Sequence, residues 1–125
     1  MIDHITAKIL TIAFSRGRTH DFKLFKQSNL PLSEHTLLMA DKGYQGIKKI
    51  HEKSIHPIKR SKREPLNDMQ KAYNLIVSRL RFIIERVNGI LKRFRILSSK
   101  YRSVPQNFIK SFTLICGLYN FQCEL

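Results

Sequence analysis

Three charged residues in the middle of the chain, Arg81, Glu85 and Lys92, have side chains and a spacing that could act on a phosphodiester. On a helix, positions i, i+4 and i+11 share a stripe, and Asn88 lies between them on it. A carboxylate can bind a divalent cation, while Arg and Lys bind phosphate oxygens. The same spacing also fits a solvated helix face, where an Arg–Glu pair contributes only about 0.2 to 0.5 kcal/mol. The spacing alone leaves both interpretations open.

A second candidate carboxylate, Asp41, follows the short apolar run at residues 36–40 (TLLMA). An uninterrupted apolar run of this length predicts a strand that is covered on both faces. Turn residues come next, so we expect Asp41 at the C-terminal end of a central strand. A helix from about Gly46 to Lys53 and a strand around Ile55 to Ile58 would complete a βαβ-like unit.

The helix that must carry Arg81, Glu85 and Lys92 has the most regular pattern in the chain. From about Asn67 to Phe94, apolar residues recur at helical spacing over many turns. The residues expected to face inward are Met69, Tyr73, Ile76, Leu80, Ile83, Val87, Ile90, Leu91 and Phe94. A last helix is predicted from about Gln106 to Phe121, and because it is apolar almost all round we expect it to be buried.

The N-terminal part of the chain predicts a strand and then a short helix. Residues 5–14 mix β-branched and apolar side chains, which indicates a strand at least half buried that runs into a turn at residues 15–18. Thr19 can cap a helix that begins near His20 and Asp21, where the acid complements the helix dipole. Pro31 breaks the chain afterwards. The side chains expected to point inward from this helix are Phe22, Leu24 and Phe25.

The charge balance indicates a polyanionic partner. Lys and Arg number 23 against 9 Asp and Glu, which gives a formal charge of +14 and a pI near 10.3. Nucleic acid is the favoured partner; a ribosomal or merely basic protein and a membrane-surface binder are the alternatives. An exposed basic loop is expected at residues 59–65. With the basic residues after it, this loop indicates a DNA-facing track, although a solvated charge run is the other interpretation.

Cellular location is constrained by what the sequence does not contain. No apolar run approaches the roughly 18 residues of a membrane span, and the N-terminus has no secretory leader pattern. Cys116 and Cys123 do not suggest a disulfide framework. These two cysteines and His35, His51 and His56 show no zinc-site spacing either. We therefore expect a protein of the reducing bacterial cytoplasm, at the nucleoid and with no membrane partner.

Several of these segments together resemble a known family. The spacing Arg81-x3-Glu85-x6-Lys92 is similar to the signature around the last catalytic residue of bacterial insertion-sequence transposases of the DDE type, and the match is specific. The other segments that resemble this family are Asp41-Lys42-Gly43-Tyr44-Gln45-Gly46, Gly17-Arg18-Thr19-His20-Asp21, residues 91–97, Tyr101-Arg102 and residues 114–120. The resemblance covers essentially the whole chain and points to the insertion-sequence-five-like branch.

The resemblance implies an α/β fold with a partial ribonuclease-H-like mixed sheet and flanking helices. Residues 1–125 would be the C-terminal portion of the catalytic domain, without its first strand and without the N-terminal DNA-recognition region. The implied activity is metal-dependent DNA cleavage and strand transfer. In that family three carboxylates hold two divalent ions, Mg²⁺ or Mn²⁺, whose chemistry is phosphoryl transfer.

The resemblance also assigns roles to individual residues. Asp41 and Glu85 would be catalytic residues and metal ligands. Arg81 and Lys92 would contact DNA phosphates or brace the carboxylate. The partners would be DNA, as element ends and target, and a further copy of the chain or an intact transposase. The DNA-binding set implied here is Arg81, Lys92, Lys59, Arg60, Lys62, Arg63, Arg93 and Arg95.

Two departures from the family pattern shape what we expect. Ser78 stands where the signature has a Tyr, and the first catalytic Asp belongs to an earlier strand, upstream of Met1. Asp3 is the only acid near the start, and it aligns with a turn rather than with that strand. His20 and Asp21 are first interpreted as a helix start. We therefore expect this chain alone to be inactive; the alternative function is a non-catalytic DNA-binding remnant or an inhibitory fragment.

Overall fold

The computed structural model describes residues 1–15 and 17–125, and it combines helices with a small parallel sheet, in keeping with the α/β class. The chain forms two compact units, one of Met1–Phe14 with Phe82–Leu125 and one of Ser15–Arg81. Arg16, in the predicted turn at residues 15–18, lies outside the described residues. The elements are α1 (Asp21–Ser28), β1 (Leu38–Met39), a 3-10 helix (Ile47–Lys49), β2 (Ser54–Ile55), α2 (Asp68–Leu91), α3 (Arg95–Ser98) and α4 (Pro105–Gln122).

The sheet lies in the unit of residues 15–81 and forms the predicted βαβ-like connection in a reduced form. β1 and β2 pair in parallel, with Leu38 opposite Ser54. The N–H of Ala40 donates to the carbonyl of Ile55 at 2.9 Å, which carries the pairing up to Asp41. Both strands are shorter than predicted, and β2 begins before Ile55. Among the described residues the sheet has two strands, so β1 is not a central strand there and the sheet is parallel rather than mixed.

The predicted helix from Gly46 to Lys53 is instead a single 3-10 turn. Gly46 precedes it with a φ of 85°, a left-handed conformation that favours glycine. Ile47 is fully buried, while the ring of His51 bonds the carbonyl of Thr36 at 2.5 Å. These two anchors fix a short connection between parallel strands, and 3-10 helices rarely extend beyond one turn.

Helix α1 covers the core of this unit. Phe22 and Phe25 pack against buried Leu38, Ala40 and Ile47, as predicted. The N-cap is His20 rather than Thr19, because its ring Nδ1 accepts the N–H of Phe22 at 3.3 Å. Asn29 ends the helix in a left-handed conformation, two residues before Pro31.

The long predicted helix is confirmed as α2, although its inward face differs from the prediction. Asn67 and Gln70 cap its start reciprocally: each side-chain oxygen accepts the other residue's backbone N–H, at 2.8 and 3.0 Å. Val87 and Leu91 are buried as predicted. In the first half of the helix the buried residue is Val77, whereas Met69 and Ile76 are exposed. Because exposed methionine and isoleucine fit the same helical period as buried residues, the period predicts where the helix lies more accurately than which side of it is buried.

Helix α4 is amphipathic rather than buried all round. Ile115, Cys116 and Tyr119 are buried, and two of them join Val87 and Leu91 in the core of the unit of residues 1–14 and 82–125. On the other side of α4, Leu114, Leu118 and Phe121 are 49–64% exposed. The prediction of full burial is therefore wrong. None of the helices in the described residues is long and apolar enough to span a membrane.

The predicted strand at residues 5–14 is replaced by a tight turn. Ile2 and Ile9 form an isolated antiparallel bridge, and Ile5 at the tip is 92% exposed. The Asp3 carboxylate accepts the N–H of Ile5 at 2.9 Å and the hydroxyl of Thr6 at 2.8 Å. Short polar side chains capture nearby backbone in this way and compete with extended structure. Local hydrogen bonding by Asp3 thus overrides the β propensity of the apolar residues that follow.

The same Tyr–Asn pair holds an extended segment in each unit. In one unit, Asn74 clamps Ile58, accepting its N–H at 2.8 Å and donating to its carbonyl at 3.0 Å, while the Tyr73 hydroxyl donates to the carbonyl of His56. In the other, Asn120 clamps Ile9 through the same two bonds, each 2.8 Å long. The Tyr119 hydroxyl donates to the carbonyl of Ala7, again two residues earlier. Each pair satisfies backbone groups that no neighbouring strand covers.

Candidate active site

Asp41 lies two residues after the end of β1, immediately beyond the last backbone hydrogen bond of the sheet. Ala40 before it is buried, whereas the Asp41 side chain is 58% exposed. The carboxylate oxygen Oδ1 accepts the backbone N–H of Lys42 at 2.5 Å, and the Asp41 carbonyl accepts the N–H of Tyr44 at 3.0 Å. This is the position predicted for Asp41, at the C-terminal end of a strand with its carboxylate open to solvent.

Arg81 contacts Asp41, a pairing that sequence reasoning did not find. Its Nη1 lies 3.2 Å from Asp41 Oδ1, and its side chain is only 21% exposed. Both residues belong to the unit of residues 15–81. The spacing had suggested Glu85 as the partner of Arg81 on the helix; no ion pair involving Glu85 occurs in the described parts of the chain. Helical periodicity predicts which residues are neighbours on one helix, but it does not predict a contact between a helix and a loop distant in sequence.

His20 lies against the turn that follows Asp41. A Cβ placed on Gly43 would come 3.2 Å from the ring carbon Cε1 of His20, closer than most side-chain contacts in proteins. The backbone of Gly43 is not left-handed, so the restriction at this position is the ring of His20 and not the backbone. His20 thus caps α1 with one ring nitrogen and also packs on the Asp41 turn. Its expected role at a helix start is confirmed, and its contact with Gly43 was not foreseen.

Tyr44 lies between aromatic side chains and two acids. Its ring centroid is 5.4 Å from that of Phe22 and 6.0 Å from that of Phe25. Burial raises the pKa of the Tyr44 hydroxyl, and the negative charges of Asp21 and Asp41 raise it further. The phenol therefore stays protonated at neutral pH.

The remaining predicted site residues are found on exposed positions. Glu85 is exposed on α2, one helical turn after Arg81, and Lys92 follows the end of α2. The other basic residues of the predicted DNA-binding set are all exposed as well. Of those before α2, Lys59 and Arg63 line a cavity of about 450 Å³, together with Ser61 and Glu64. Their exposed ammonium and guanidinium groups are accessible to the phosphates of a nucleic acid.

The chemistry of Asp41 suits a hard divalent cation, but the described residues do not gather a complete metal site. Magnesium prefers carboxylate oxygens, and Asp41 offers one at an exposed strand end. Within residues 1–15 and 17–125, no three His, Cys, Asp or Glu side chains lie close enough to share an ion. Asp3 uses both carboxylate oxygens within its own turn, and Cys116 and Cys123 are free thiols.

Comparison with known proteins indicates the family of this chain. The sequence profile of the DDE superfamily endonucleases matches residues 2–120. The chain is 45% identical over 125 residues to a protein of Microchaete diplosiphon described as a probable transposase for insertion sequence element IS702. That match includes all of this chain and 45% of the relative, so the chain spans less than half of the relative's length. No solved structure matches the chain. Because this profile match covers nearly every residue, the chain belongs to the DDE superfamily endonucleases.

Proposed function

We propose that the chain is a C-terminal part of the catalytic domain of an insertion-sequence transposase, whose activity is metal-dependent DNA cleavage and strand transfer. The observation that carries the proposal is the contact between Asp41 and Arg81. It joins the two segments that resemble the family signature, the turn at residues 41–46 and the helical Arg81-x3-Glu85-x6-Lys92. Two signature segments that meet through charged side chains support a shared chemical role better than either segment alone.

In this proposal Asp41 and Glu85 are catalytic residues and metal ligands. Bound Mg²⁺ or Mn²⁺, as two ions in the intact protein, would activate the attacking oxygen and stabilise the leaving oxygen of the phosphodiester. Asp41 supplies a carboxylate oxygen at a fixed strand end. Glu85, which is exposed on α2, would supply another. A ribonuclease-H-like sheet, of which β1 and β2 would be a part, belongs to the same proposal, as does assignment to the insertion-sequence-five-like branch.

DNA is the proposed partner, held through its phosphates. Lys92 and the basic residues beside it are exposed, and the loop at residues 59–63 adds four cations before α2. Lys and Arg neutralise phosphates without reading base sequence. We further propose that the chain acts at the bacterial nucleoid and that it associates with itself or with an intact transposase.

Binding of Mn²⁺ to the 125-residue chain tests the ligand assignment. Mn²⁺ is paramagnetic, so its free concentration can be followed directly by electron paramagnetic resonance. Asp41→Asn and Glu85→Gln should each weaken binding at least about tenfold, because each removes one anionic oxygen ligand. Glu64→Gln is the matched control, since it removes an exposed carboxylate from the basic loop. Equal affinity in the wild type and both site variants would reject the assignment.

A further inference from the structure

Helix α4 has an apolar stripe on its exposed side. Ile115 and Tyr119 lie in the core of their unit, whereas Leu114, Leu118 and Phe121 are exposed on another side of the helix. Their spacing of four and then three residues places them on successive turns, so the three side chains form one stripe. Single apolar residues on a surface are ordinary, but a continuous apolar patch is typical of an interaction surface. We call this stripe the exposed face of α4.

One edge of the exposed face carries Lys110, Gly117 and Glu124. A spacing of seven residues is about two helical turns, so these three positions lie along one line beside the stripe. The N–H of Glu124 bonds the carbonyl of Phe121 at 3.1 Å, which continues the helical winding to this residue. A Cβ built on Gly117 would meet no atom within 4 Å in the described chain, so packing within the chain does not require glycine there. Glycine in a helix costs stability, but it allows another backbone to come close.

We propose that the exposed face of α4 binds the same face of a second copy of the chain, with the two helices antiparallel. This inference rests on the self-association included in the proposed function, and it names the surface for it. In an antiparallel pair related by a twofold axis, the same edge of both helices meets. With the axis beside Gly117, Lys110 lies seven residues to one side and Glu124 seven residues to the other. Each of these two residues therefore faces its opposite charge in the second copy.

The distribution of charge explains why two copies would meet at α4. The formal charge of each copy is +14, so most of their surfaces repel one another. From Pro105 to Gln122, however, α4 has a single charged side chain, that of Lys110. A parallel pair would place Lys110 beside its own copy, whereas the antiparallel pair places it beside an acid, and such complementarity fixes the orientation of an interface. Lys8 holds one oxygen of the Glu124 carboxylate at 2.7 Å, which leaves the second oxygen for Lys110 of the other copy.

Sedimentation velocity of the full 125-residue chain, without metal or DNA, tests the contact. One pair of helices forms a small interface, so the measurement covers concentrations from about 1 µM to about 1 mM. We expect a dimer whose dissociation constant rises at least about tenfold in Leu118→Gln, because a polar side chain replaces an apolar one in the middle of the face. Ile76→Gln is the matched control, since Ile76 is an exposed apolar residue on α2.

Gly117→Ala separates the contact from the stability of the helix. Alanine favours a helix more than glycine does, so this variant should raise the thermal midpoint of unfolding. Its methyl group would lie on the line of closest approach, so the same variant should weaken the dimer. A residue with a purely structural role would not move the two measurements in opposite directions.

Charge reversal tests the antiparallel order. Lys110→Glu and Glu124→Lys each bring like charges together and should weaken the dimer about fivefold, while the double variant should recover most of the affinity. Lys23→Glu is the control, because it makes the same change of charge at an exposed position of α1. It should not weaken the dimer.

These outcomes are independent of the proposed catalytic roles. A chain that stays monomeric over the whole range would overturn the inference, and so would a dimer that is unaffected by Leu118→Gln. A double charge reversal without recovery would overturn the antiparallel order. Circular dichroism checks the folding of each variant, and the charge variants decide if Leu118→Gln does not fold. The ligand roles of Asp41 and Glu85 are tested separately by the Mn²⁺ titration.

Discussion

At the scale of single residues, the turn after Asp41 is determined by what touches it and not by its own backbone preferences. A side chain on Gly43 would crowd the ring of His20, which lies against it. His20 is held in turn by its bond to the N–H of Phe22. The sequence shows a glycine in a turn and a histidine before a helix, but it does not indicate that the two residues are in contact.

This contact predicts a non-additive pair of substitutions. Gly43→Ala should lower the free energy of unfolding by about 1 kcal/mol, because the new methyl group meets the His20 ring. In a His20→Ala background the same change should cost little, since the ring is gone. Urea denaturation of the four proteins measures the coupling. An equal cost of Gly43→Ala in both backgrounds would contradict the contact.

The turn at the N-terminus predicts a pH dependence of stability. Hydrogen bonds from Ile5 and Thr6 hold the pKa of Asp3 below its ordinary value of 3.8. A lowered pKa in the folded state means that the carboxylate stabilises the fold above its unfolded pKa, and that this contribution disappears as the pH falls through the folded pKa. Asp3→Asn keeps one acceptor but cannot ionise. Between pH 5 and pH 2 the wild type should therefore lose more stability than Asp3→Asn does; parallel losses in urea midpoints would refute this.

At the scale of elements, the clamped segments show which parts of the fold depend on helix side chains. Ile58 follows β2 and Ile9 lies in the N-terminal turn, and both have their backbone N–H and carbonyl bound by one asparagine. Each asparagine is next to a tyrosine that binds the backbone two residues earlier. The dipeptide Tyr-Asn on a helix is therefore a repeated way of attaching an extended segment.

Removing either asparagine should destabilise its unit. Asn74→Ala and Asn120→Ala each leave a half-buried backbone N–H and carbonyl without their partner, which costs about 1 to 3 kcal/mol. Asn88→Ala is the matched control, because Asn88 is exposed on α2 and its side chain makes no hydrogen bond in the described residues. Hydrogen exchange at the amides of Ile58 and Ile9 locates the effect. Unchanged protection at these amides would show that the clamps do not hold the segments.

Long periodic elements could be predicted from the sequence, and short non-local ones could not. The apolar period placed α2 within three residues of its true ends, and α4 within one. The run before Asp41 indicated a strand, because five apolar or β-branched residues precede a turn. The hydrophobic pattern does not predict side-chain hydrogen bonds. These bonds determine the strand lengths, the 3-10 connection and the turn at Asp3. For the candidate site, the residue identities follow from the family signature, whereas the pairing of Arg81 with Asp41 is a tertiary contact that no sequence pattern indicates.

At the scale of the whole molecule, the surface charge is the dominant physical property. From Lys59 to Arg102 the chain has 13 Lys and Arg against three acids, Glu64, Asp68 and Glu85. Of the 13, all except Arg81 are exposed. Arg81 is the one paired with a carboxylate outside this stretch. The segment has too few acidic side chains to neutralise these exposed cations. They can therefore bind a polyanion from solution.

This charge predicts DNA binding that depends steeply on salt and little on base sequence. Each phosphate contact should add about −0.9 to the slope of log K against log salt concentration. Lys62→Ala should make that slope shallower by about one contact. Lys48→Ala is the control, since Lys48 is an exposed lysine outside the basic stretch. Affinity for two unrelated duplexes, measured across a salt series, tests both statements, and a flat dependence would reject phosphate binding.

The last prediction concerns catalysis by the chain alone. We expect the 125 residues not to cleave DNA with Mg²⁺ or Mn²⁺, because the proposed ligands Asp41 and Glu85 would neutralise only half of the charge on two divalent ions, leaving the second ion weakly held. The assay uses DNA with the ends of the cognate element. It compares this chain with an extended protein, in which the remaining part of the longer Microchaete diplosiphon relative is added to it. Cleavage only by the extended protein, abolished by Asp41→Ala or Glu85→Ala but merely weakened by Lys62→Ala, is the expected result. Cleavage by the chain alone that requires Asp41 and Glu85 would instead mean that another acid, such as Asp3 or Asp21, completes the set of ligands.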